Sequence, residues 1–156
     1  MYYEFYQLRE NPFNVTADPS FFYSSRHHSE AEAHLAYGIR ERKGVLVVTG
    51  EVGTGKTTLC RKLLEQQPDG LHTAFVLNPN FSDIELLQVI VHDLGISSEC
   101  KTRYDLMNDL KQFLLQESEK GNNVVLILDE AQNLTPAQME QIRQFSADLK
   151  IALGLA

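Results

Sequence analysis

The sequence has little cysteine, no excess of positive charge and no long hydrophobic run, and each shortage excludes a class of protein. Two cysteines in 156 residues cannot build the disulfide framework of a small secreted domain, which favours a reducing compartment. The first ten residues, MYYEFYQLRE, lack the basic start and apolar stretch of a signal peptide. The longest apolar runs, residues 45–48 and 124–128, are far below the ~20 residues of a membrane helix. We therefore expect a cytoplasmic chain without a membrane span.

Charge and length narrow the class further. With 14 Lys and Arg against 21 Asp and Glu, the formal net charge is −7, which counts against a broadly basic surface and so against DNA as a direct partner. Hydrophobic residues make up 43% and charged residues 22%, as in ordinary folded domains. A chain of this length buries about two-thirds of its unfolded surface. We expect a single domain over residues 1–156, with an aromatic arm at 1–28 and an α/β core at 29–156.

Strand patterns alternate with helix patterns along this core. The eight aromatic residues of the arm favour its packing against the surface. Apolar and β-branched runs predict strands at 45–49, 73–77 and 124–128. Capping boxes at Ser29, Ser82 and Thr135 predict the starts of three helices, and two more are predicted over 56–67 and 103–120. Gly44 would close the helix that begins at Ser29. The helix that begins at Thr135 would direct Met139, Ile142 and Phe145 inward. Strands alternating with helices indicate a parallel sheet with helices on both faces.

A glycine-rich turn follows the first predicted strand and fits the pattern G-x-x-x-x-G-K-[ST]. Its glycines allow a tight turn whose backbone N–H groups surround phosphates, and the following helix offers its positive N-terminus to the same anion. Lys56 would reach the β- and γ-phosphates, and Thr57 would give its hydroxyl to Mg²⁺. The pattern therefore predicts ATP and Mg²⁺ as cofactors. The residues assigned to nucleotide binding are Gly50, Glu51, Val52, Gly53, Thr54, Gly55, Lys56, Thr57 and Thr58.

A second motif stands at the end of the last predicted strand, where Asp129 and Glu130 follow residues 124–128. Open α/β sheets bind ligands at the carboxyl ends of their strands. Asp129 is predicted to hold the Mg²⁺ ion, and Glu130 to act as general base on the attacking water. An apolar run ending in two carboxylates is a weak signal alone, but the phosphate loop upstream strengthens it.

Asn78 ends the second strand at the same edge and leaves two interpretations open. Its side chain could hydrogen-bond Glu130 and hold that carboxylate away from water, which would make it part of the catalytic set with Glu130 and Lys56. It could equally be a turn-forming residue before Pro79.

The histidines His27, His28 and His34 cluster near the start of the core. They lack the ligand number and fixed spacing that a zinc site requires.

Three blocks of the chain resemble the N-terminal ATPase module of the ExeA/GspA general-secretion family. They read MYYEFYQLRENPFNVTADPSFFYSSRHHSEAEAHLAYGI, GVLVVTGEVGTGKTTLCRKLL and VVLILDEAQNLTPAQMEQIR. The resemblance implies an AAA-type P-loop NTPase fold with strand order 5-1-4-3-2. It implies that Asn11, Pro12 and Phe13 lie near the adenine and that Asn78 is the switch partner of Glu130. Family members couple ATP use to assembly of a secretion or envelope complex, so self-association or a protein partner of such a complex is expected, in full-length relatives at the cytoplasmic face of the inner membrane.

The end of the chain departs from the family pattern. The family continues with a fourth strand bearing a polar sensor residue, an arginine finger and a helical lid, whereas this chain stops at Ala156. We therefore expect a C-terminally truncated module that binds ATP and turns it over slowly. Residues 149–153 could form a short fourth strand or continue the preceding helix. The helix is favoured, because Met139, Ile142, Phe145, Leu149 and Ala152 keep helical spacing.

Other functions share the same motifs. A nucleotide-dependent adaptor switch, of the kind found among transposition-associated ATPases, would use the site for binding partners, although the charge of −7 disfavours DNA. A truncated fragment with weak catalysis is a further alternative. A small-molecule kinase also uses this loop, but the adjacent Asp129 and Glu130 favour activation of water.

Overall fold

A four-stranded parallel sheet lies at the centre of the protein. The structure is a computed structural model that describes residues 2–9, 11, 18–66, 68–97, 102–146 and 149–155. The strands are β1 (Val45–Thr49), β2 (Leu71–Val76), β3 (Asn123–Leu128) and β4 (Leu149–Leu155). The helices are α1 (Tyr2–Tyr6), α2 (Arg26–Arg40), α3 (Lys56–Glu65), α4 (Asp83–Asp93), α5 (Arg103–Glu119) and α6 (Pro136–Arg143), with 3₁₀ turns at Pro19–Phe21 and Ala131–Asn133.

The order of the strands confirms the predicted α/β class. The sheet runs β1-β4-β3-β2, and every neighbouring pair is parallel. This is the 1-4-3-2 portion of the expected order 5-1-4-3-2; within the described residues the sheet ends at β1. All four strands therefore present their carboxyl ends at one edge, where the two sequence motifs were predicted to meet.

The favoured prediction for residues 149–153 was wrong, because they form strand β4 and not a continuation of α6. Strand β4 lies between β1 and β3, with Ile151 opposite both Val45 and Leu126. Leu149, Ile151 and Leu153 belong to the core on one face of the sheet, and Ala152 to the core on the other. A central parallel strand is buried on both faces and reads as a continuous apolar run, which helical spacing cannot distinguish from a buried helix.

Alternate strand residues supply two hydrophobic cores, one on each face of the sheet. On one face Ala74, Val76, Leu126 and Leu128 pack in a cluster with the apolar residues of α4 and α5. On the other face the strands pack against α2 and α3. The approach of α2 to the sheet is close, since a Cβ atom at Gly38 would come within 2.4 Å of the Leu46 side chain.

The predicted helices begin where expected except at α2, and α3 ends at Glu65, two residues before its predicted end. The capping boxes at Ser82 and Thr135 are present as predicted. Helix α2 begins earlier than predicted, because Ser25 and not Ser29 is its N-cap, and His28 completes the capping box. The helix ends at Arg40, four residues before Gly44. The predicted box failed because His28, at the third helical position, accepts the hydrogen bond from the N-cap N–H that Glu or Gln usually accepts.

The exposure of several apolar residues also differs from prediction. On α6, Ile142 is buried and Phe145, just after it, half-buried, but Met139 is exposed. In the arm, Phe22 is half-buried, whereas the side chains of Phe5, Tyr6 and Tyr23 are largely exposed. The expectation that the arm packs against the surface through its aromatic side chains is therefore wrong for Phe5, Tyr6 and Tyr23. None of the helices in the described ranges combines the length and the apolar character needed to cross a membrane.

Candidate functional site

The glycine-rich loop connects the carboxyl end of β1 to the first turn of α3. Gly53 and Gly55 adopt φ values of 81° and 87°, in the left-handed region that only glycine enters without strain. Gly55 is the N-cap of α3 and makes no side-chain cap hydrogen bond. The first backbone N–H groups of the helix therefore carry no side-chain cap, as an anion-binding helix N-terminus requires. A Cβ atom at Gly53 would meet nothing within 4 Å, so the loop opens to solvent there.

Lys56 lies across this loop. Its Nζ atom donates to the carbonyl oxygens of Gly50 and Glu51, both at 2.8 Å. The Thr54 hydroxyl donates to the same Glu51 oxygen, also at 2.8 Å. Of the remaining loop residues, Val52 is exposed, and Thr58 is half-buried in the first turn of α3. A cation and the uncapped helix start thus adjoin the same loop, which fits a polyphosphate.

Thr57 and Asp129 join the two motifs. The Thr57 hydroxyl donates a hydrogen bond to Asp129 Oδ2 across 72 residues of sequence. Asp129 is only 2% exposed, and its backbone N–H continues the sheet ladder to the Val76 carbonyl oxygen at 2.9 Å. A buried carboxylate beside a threonine hydroxyl is a set of hard oxygen donors of the kind that Mg²⁺ prefers.

Gly154 on β4 borders this carboxylate and was not recognised from the sequence. A Cβ atom at Gly154 would lie 2.8 Å from Asp129 Oδ1. Only glycine leaves the volume that the Asp129 carboxylate occupies. The sequence carried no signal for this requirement, because it depends on β4 lying beside β3.

Glu130 and Asn78 lie at the same edge, each with a left-handed backbone, at φ 54° and 48°. The Glu130 carboxylate accepts from Gln132 Nε2, and Asn78 Oδ1 accepts from Asn133 Nδ2 at 2.9 Å. Asn78 also forms a turn, since its carbonyl oxygen accepts from the Asn80 N–H at 2.7 Å. Each side chain therefore has another partner here, and a direct pairing of Asn78 with Glu130 stays a prediction.

His28 is a second residue whose contact with the loop the sequence did not reveal. Its Nε2 atom lies 2.7 Å from the carbonyl oxygen of Thr54, 26 residues away. The Ser25-x-x-His28 spacing places the imidazole at the start of α2 but does not report its contact with Thr54. No cluster of three or more His, Cys, Asp or Glu side chains able to hold a metal ion occurs in the described part of the chain.

Cys60 lies one turn after Lys56 in α3 and is buried. Burial raises the pKa of its thiol to about 11, and the Asp129 carboxylate adds to the rise. The thiol is therefore protonated at neutral pH and is a core group, not a nucleophile.

The predicted adenine contacts fall mostly outside the described residues. Pro12 and Phe13 are not among them. Asn11 is described, and its Oδ1 atom accepts from the Tyr2 hydroxyl at 3.0 Å. Their placement near an adenine stays a prediction.

Comparison with known proteins agrees with these motifs. A family model described as AAA domain matches residues 39–155. General secretion pathway protein A of Aeromonas hydrophila is 40% identical over 144 residues, which cover 92% of this chain and 26% of that protein. The chain thus spans about a quarter of the length of this relative. The resemblance to the general-secretion family is confirmed.

Solved structures agree on the fold. The ORC2 protein of Aeropyrum pernix, determined in ADPNP–ADP complexes, matches with a TM-score of 0.63 at 18% identity over 85% of this chain and 42% of its own. Cdc6p of Pyrobaculum aerophilum matches with the same TM-score and identity over 94% of this chain and 42% of its own. At such identity the likeness supports the fold alone.

Proposed function

This chain belongs to the AAA domain family, and we propose that it binds ATP with Mg²⁺ at the loop of residues 50–55 and hydrolyses it. The observation that carries the proposal is the hydrogen bond from Thr57 to Asp129. It brings the end of the phosphate loop and the carboxylate of the second motif together at the carboxyl edge of the sheet. Either motif alone is found in many contexts, but their contact is what a nucleotide and its metal ion require.

Each residue of the site has a proposed role. The backbone of residues 50–55 and the start of α3, with Thr58, would surround the phosphates, and Lys56 would contribute its charge. Thr57 and Asp129 would hold Mg²⁺, which when bound neutralises phosphate charge. Glu130 would orient a water molecule and accept its proton, with Asn78 controlling the position of Glu130. The arm residues Asn11, Pro12 and Phe13 would contact the adenine.

Lys56 provides the direct test of this assignment. We expect Lys56→Ala and Lys56→Met to weaken MgATP binding at least about tenfold, because a charge-assisted hydrogen bond contributes roughly 1.5–3 kcal/mol. Isothermal titration calorimetry and a phosphate-release assay would measure affinity and turnover. Lys111→Ala on the exposed side of α5 is the matched control. Equal affinity of Lys56→Ala and the wild type would refute the site.

We also propose that ATP use drives assembly of a secretion or envelope complex at the cytoplasmic side of a membrane, through self-association or a protein partner. The support is the 40% identity to a protein named for general secretion, of which this chain spans 26%. In cells, Lys56→Ala should then abolish assembly of that complex; normal assembly with this variant would contradict the coupling. A nucleotide-dependent adaptor remains the alternative from the sequence, and a gel-shift at low salt with and without ATP would reveal any DNA-binding form.

A further inference from the structure

The start of α2 holds His28 in one orientation. The Ser25 backbone N–H donates to His28 Nδ1 at 3.3 Å, and the Ser25 hydroxyl lies 2.7 Å from the same atom. The His28 backbone N–H donates to the Ser25 hydroxyl oxygen at 3.4 Å. An Nδ1 atom that accepts the Ser25 N–H carries a lone pair and no proton. The capping box therefore places the imidazole proton on Nε2.

That Nε2–H reaches the phosphate loop. Nε2 lies 2.7 Å from the Thr54 carbonyl oxygen, and a carbonyl oxygen can only accept. Both ring nitrogens thus agree on a neutral imidazole with its proton on Nε2. In a trans peptide the C=O and the next N–H point in opposite directions. A bond that draws the Thr54 carbonyl oxygen toward His28 therefore turns the Gly55 N–H away from His28.

His28 is supported by its own packing. The Phe22 ring meets the imidazole edge to face, with centroids 4.8 Å apart. A Cβ atom at Gly55 would lie 3.4 Å from both His28 Nε2 and Phe22 Cε2, so the two rings abut the loop backbone. On the far side, Lys62 Nζ lies 5.6 Å from the Phe22 ring centroid and 2.8 Å from Glu32 Oε2. The ion pair joins α2 to α3 beside the Phe22 ring.

We propose that His28 is a positioning residue for the phosphate loop. Its neutral imidazole holds the Thr54 carbonyl oxygen on the outer side of the loop, so that the Gly55 N–H faces the phosphates of a bound nucleotide. This inference rests on the proposed nucleotide-binding function. It assigns the start of α2 to the phosphate site, ahead of the glycine-rich motif itself.

The protonation state provides the first test and needs no variant. Two-bond ¹H–¹⁵N correlation spectra of the wild-type imidazoles near neutral pH should show His28 as the neutral form with its proton on Nε2. A His28 proton on Nδ1 would overturn the proposal, whatever the protein binds.

Affinity provides the second test. We expect His28→Leu to weaken MgADP binding about three- to tenfold, because a neutral hydrogen bond contributes roughly 0.5–1.5 kcal/mol. His28→Gln carries an N–H donor of similar reach and should restore most of the affinity. His27→Leu, on the same turn, should bind as the wild type does. The Gly55 amide ¹⁵N resonance should shift on MgADP addition in the wild type, and less in His28→Leu.

The outcomes separate this proposal from the proposed function. A folded His28→Leu protein with wild-type affinity, or a His28→Gln protein as weak as His28→Leu, would overturn the role of His28 while leaving nucleotide binding intact. Failure of the wild type to bind MgADP would overturn the proposed function. If His28→Leu does not fold, the wild-type imidazole spectrum still decides.

Discussion

At the scale of single residues, the Asp129 carboxylate depends on the absence of a side chain at Gly154. The carboxylate is buried between the Thr57 hydroxyl and the backbone of β4. A buried carboxylate has few alternative positions in a close-packed interior. Position 154 therefore acts on the proposed metal site through the position of the Asp129 carboxylate.

Gly154→Ala tests this dependence. The new Cβ atom would come within 2.8 Å of Asp129 Oδ1, so we expect the carboxylate to shift, the protein to lose roughly 1–3 kcal/mol of unfolding free energy, and Mg²⁺-dependent nucleotide affinity to fall. Urea unfolding and calorimetry with and without Mg²⁺ measure the two effects. Gly44→Ala is the control, because its Cβ atom would meet only the Ser146 carbonyl oxygen at 3.7 Å. A Gly154→Ala protein with unchanged Mg²⁺ dependence would contradict the assignment.

At the scale of elements, a buried carboxylate fastens the end of α5 to the sheet. Glu117 accepts from Lys120 Nζ and Asn122 Nδ2, both at 2.6 Å, and lies 2.8 Å from His72 Nε2 on β2. The hydrogen bond from Asn122, then that from Lys120 and the nearby His72, lower the pKa of Glu117 to about 2. The helix, the turn after it and the neighbouring strand meet at this one side chain.

The lowered pKa predicts how stability depends on pH. Because the pKa of Glu117 is about 2 in the folded chain against 4.5 without these contacts, its contribution is complete above about pH 4.5 and is lost as the pH falls toward about 2. Glu117→Gln should lower the unfolding free energy at neutral pH, and the gap to the wild type should narrow through that acidic range. Urea unfolding at a series of pH values measures it. Glu119→Gln, exposed at the end of α5, is the control; a constant gap for Glu117→Gln would contradict the prediction.

At the scale of the whole molecule, the proposed hydrolysis raises the question of where a catalytic arginine comes from. Arg143, the arginine nearest the second motif in sequence, donates to both Glu140 carboxylate oxygens at 2.8 and 2.7 Å. In P-loop enzymes an arginine supplied by a partner contributes ~10³–10⁵ in rate. Self-association is one way to supply such a group.

Self-association predicts that specific ATPase activity rises with protein concentration. Phosphate release per molecule should increase with protein concentration and approach a plateau, because neighbouring copies would complete each other's sites. The Lys56→Ala protein provides the background rate. Activity per molecule that stays constant over the whole series would contradict self-association as the source of a catalytic arginine.

Much of the fold and the core of the site could be predicted from local pattern. The capping boxes at Ser82 and Thr135 depend only on residues three positions apart, so the sequence reveals them. The alternation of strands and helices depends likewise on short runs of residues. The meeting of Thr57 with Asp129 also followed, because parallel strands share a carboxyl edge.

Only the tertiary structure decided the identity of β4, the requirement for Gly154 and the contact of His28 with Thr54. The apolar run at 149–153 is compatible with a helix or a strand. It forms a strand because β1 and β3 are not neighbours in the sheet, and β4 pairs with both of them. Gly154 and His28 act on residues 25 and 26 positions away in the sequence, so no local pattern reports them. The amino-acid sequence determined which chemical groups the protein carries and on which helix, strand or turn most of them lie. The packing of strands and helices decided which of those groups are in contact.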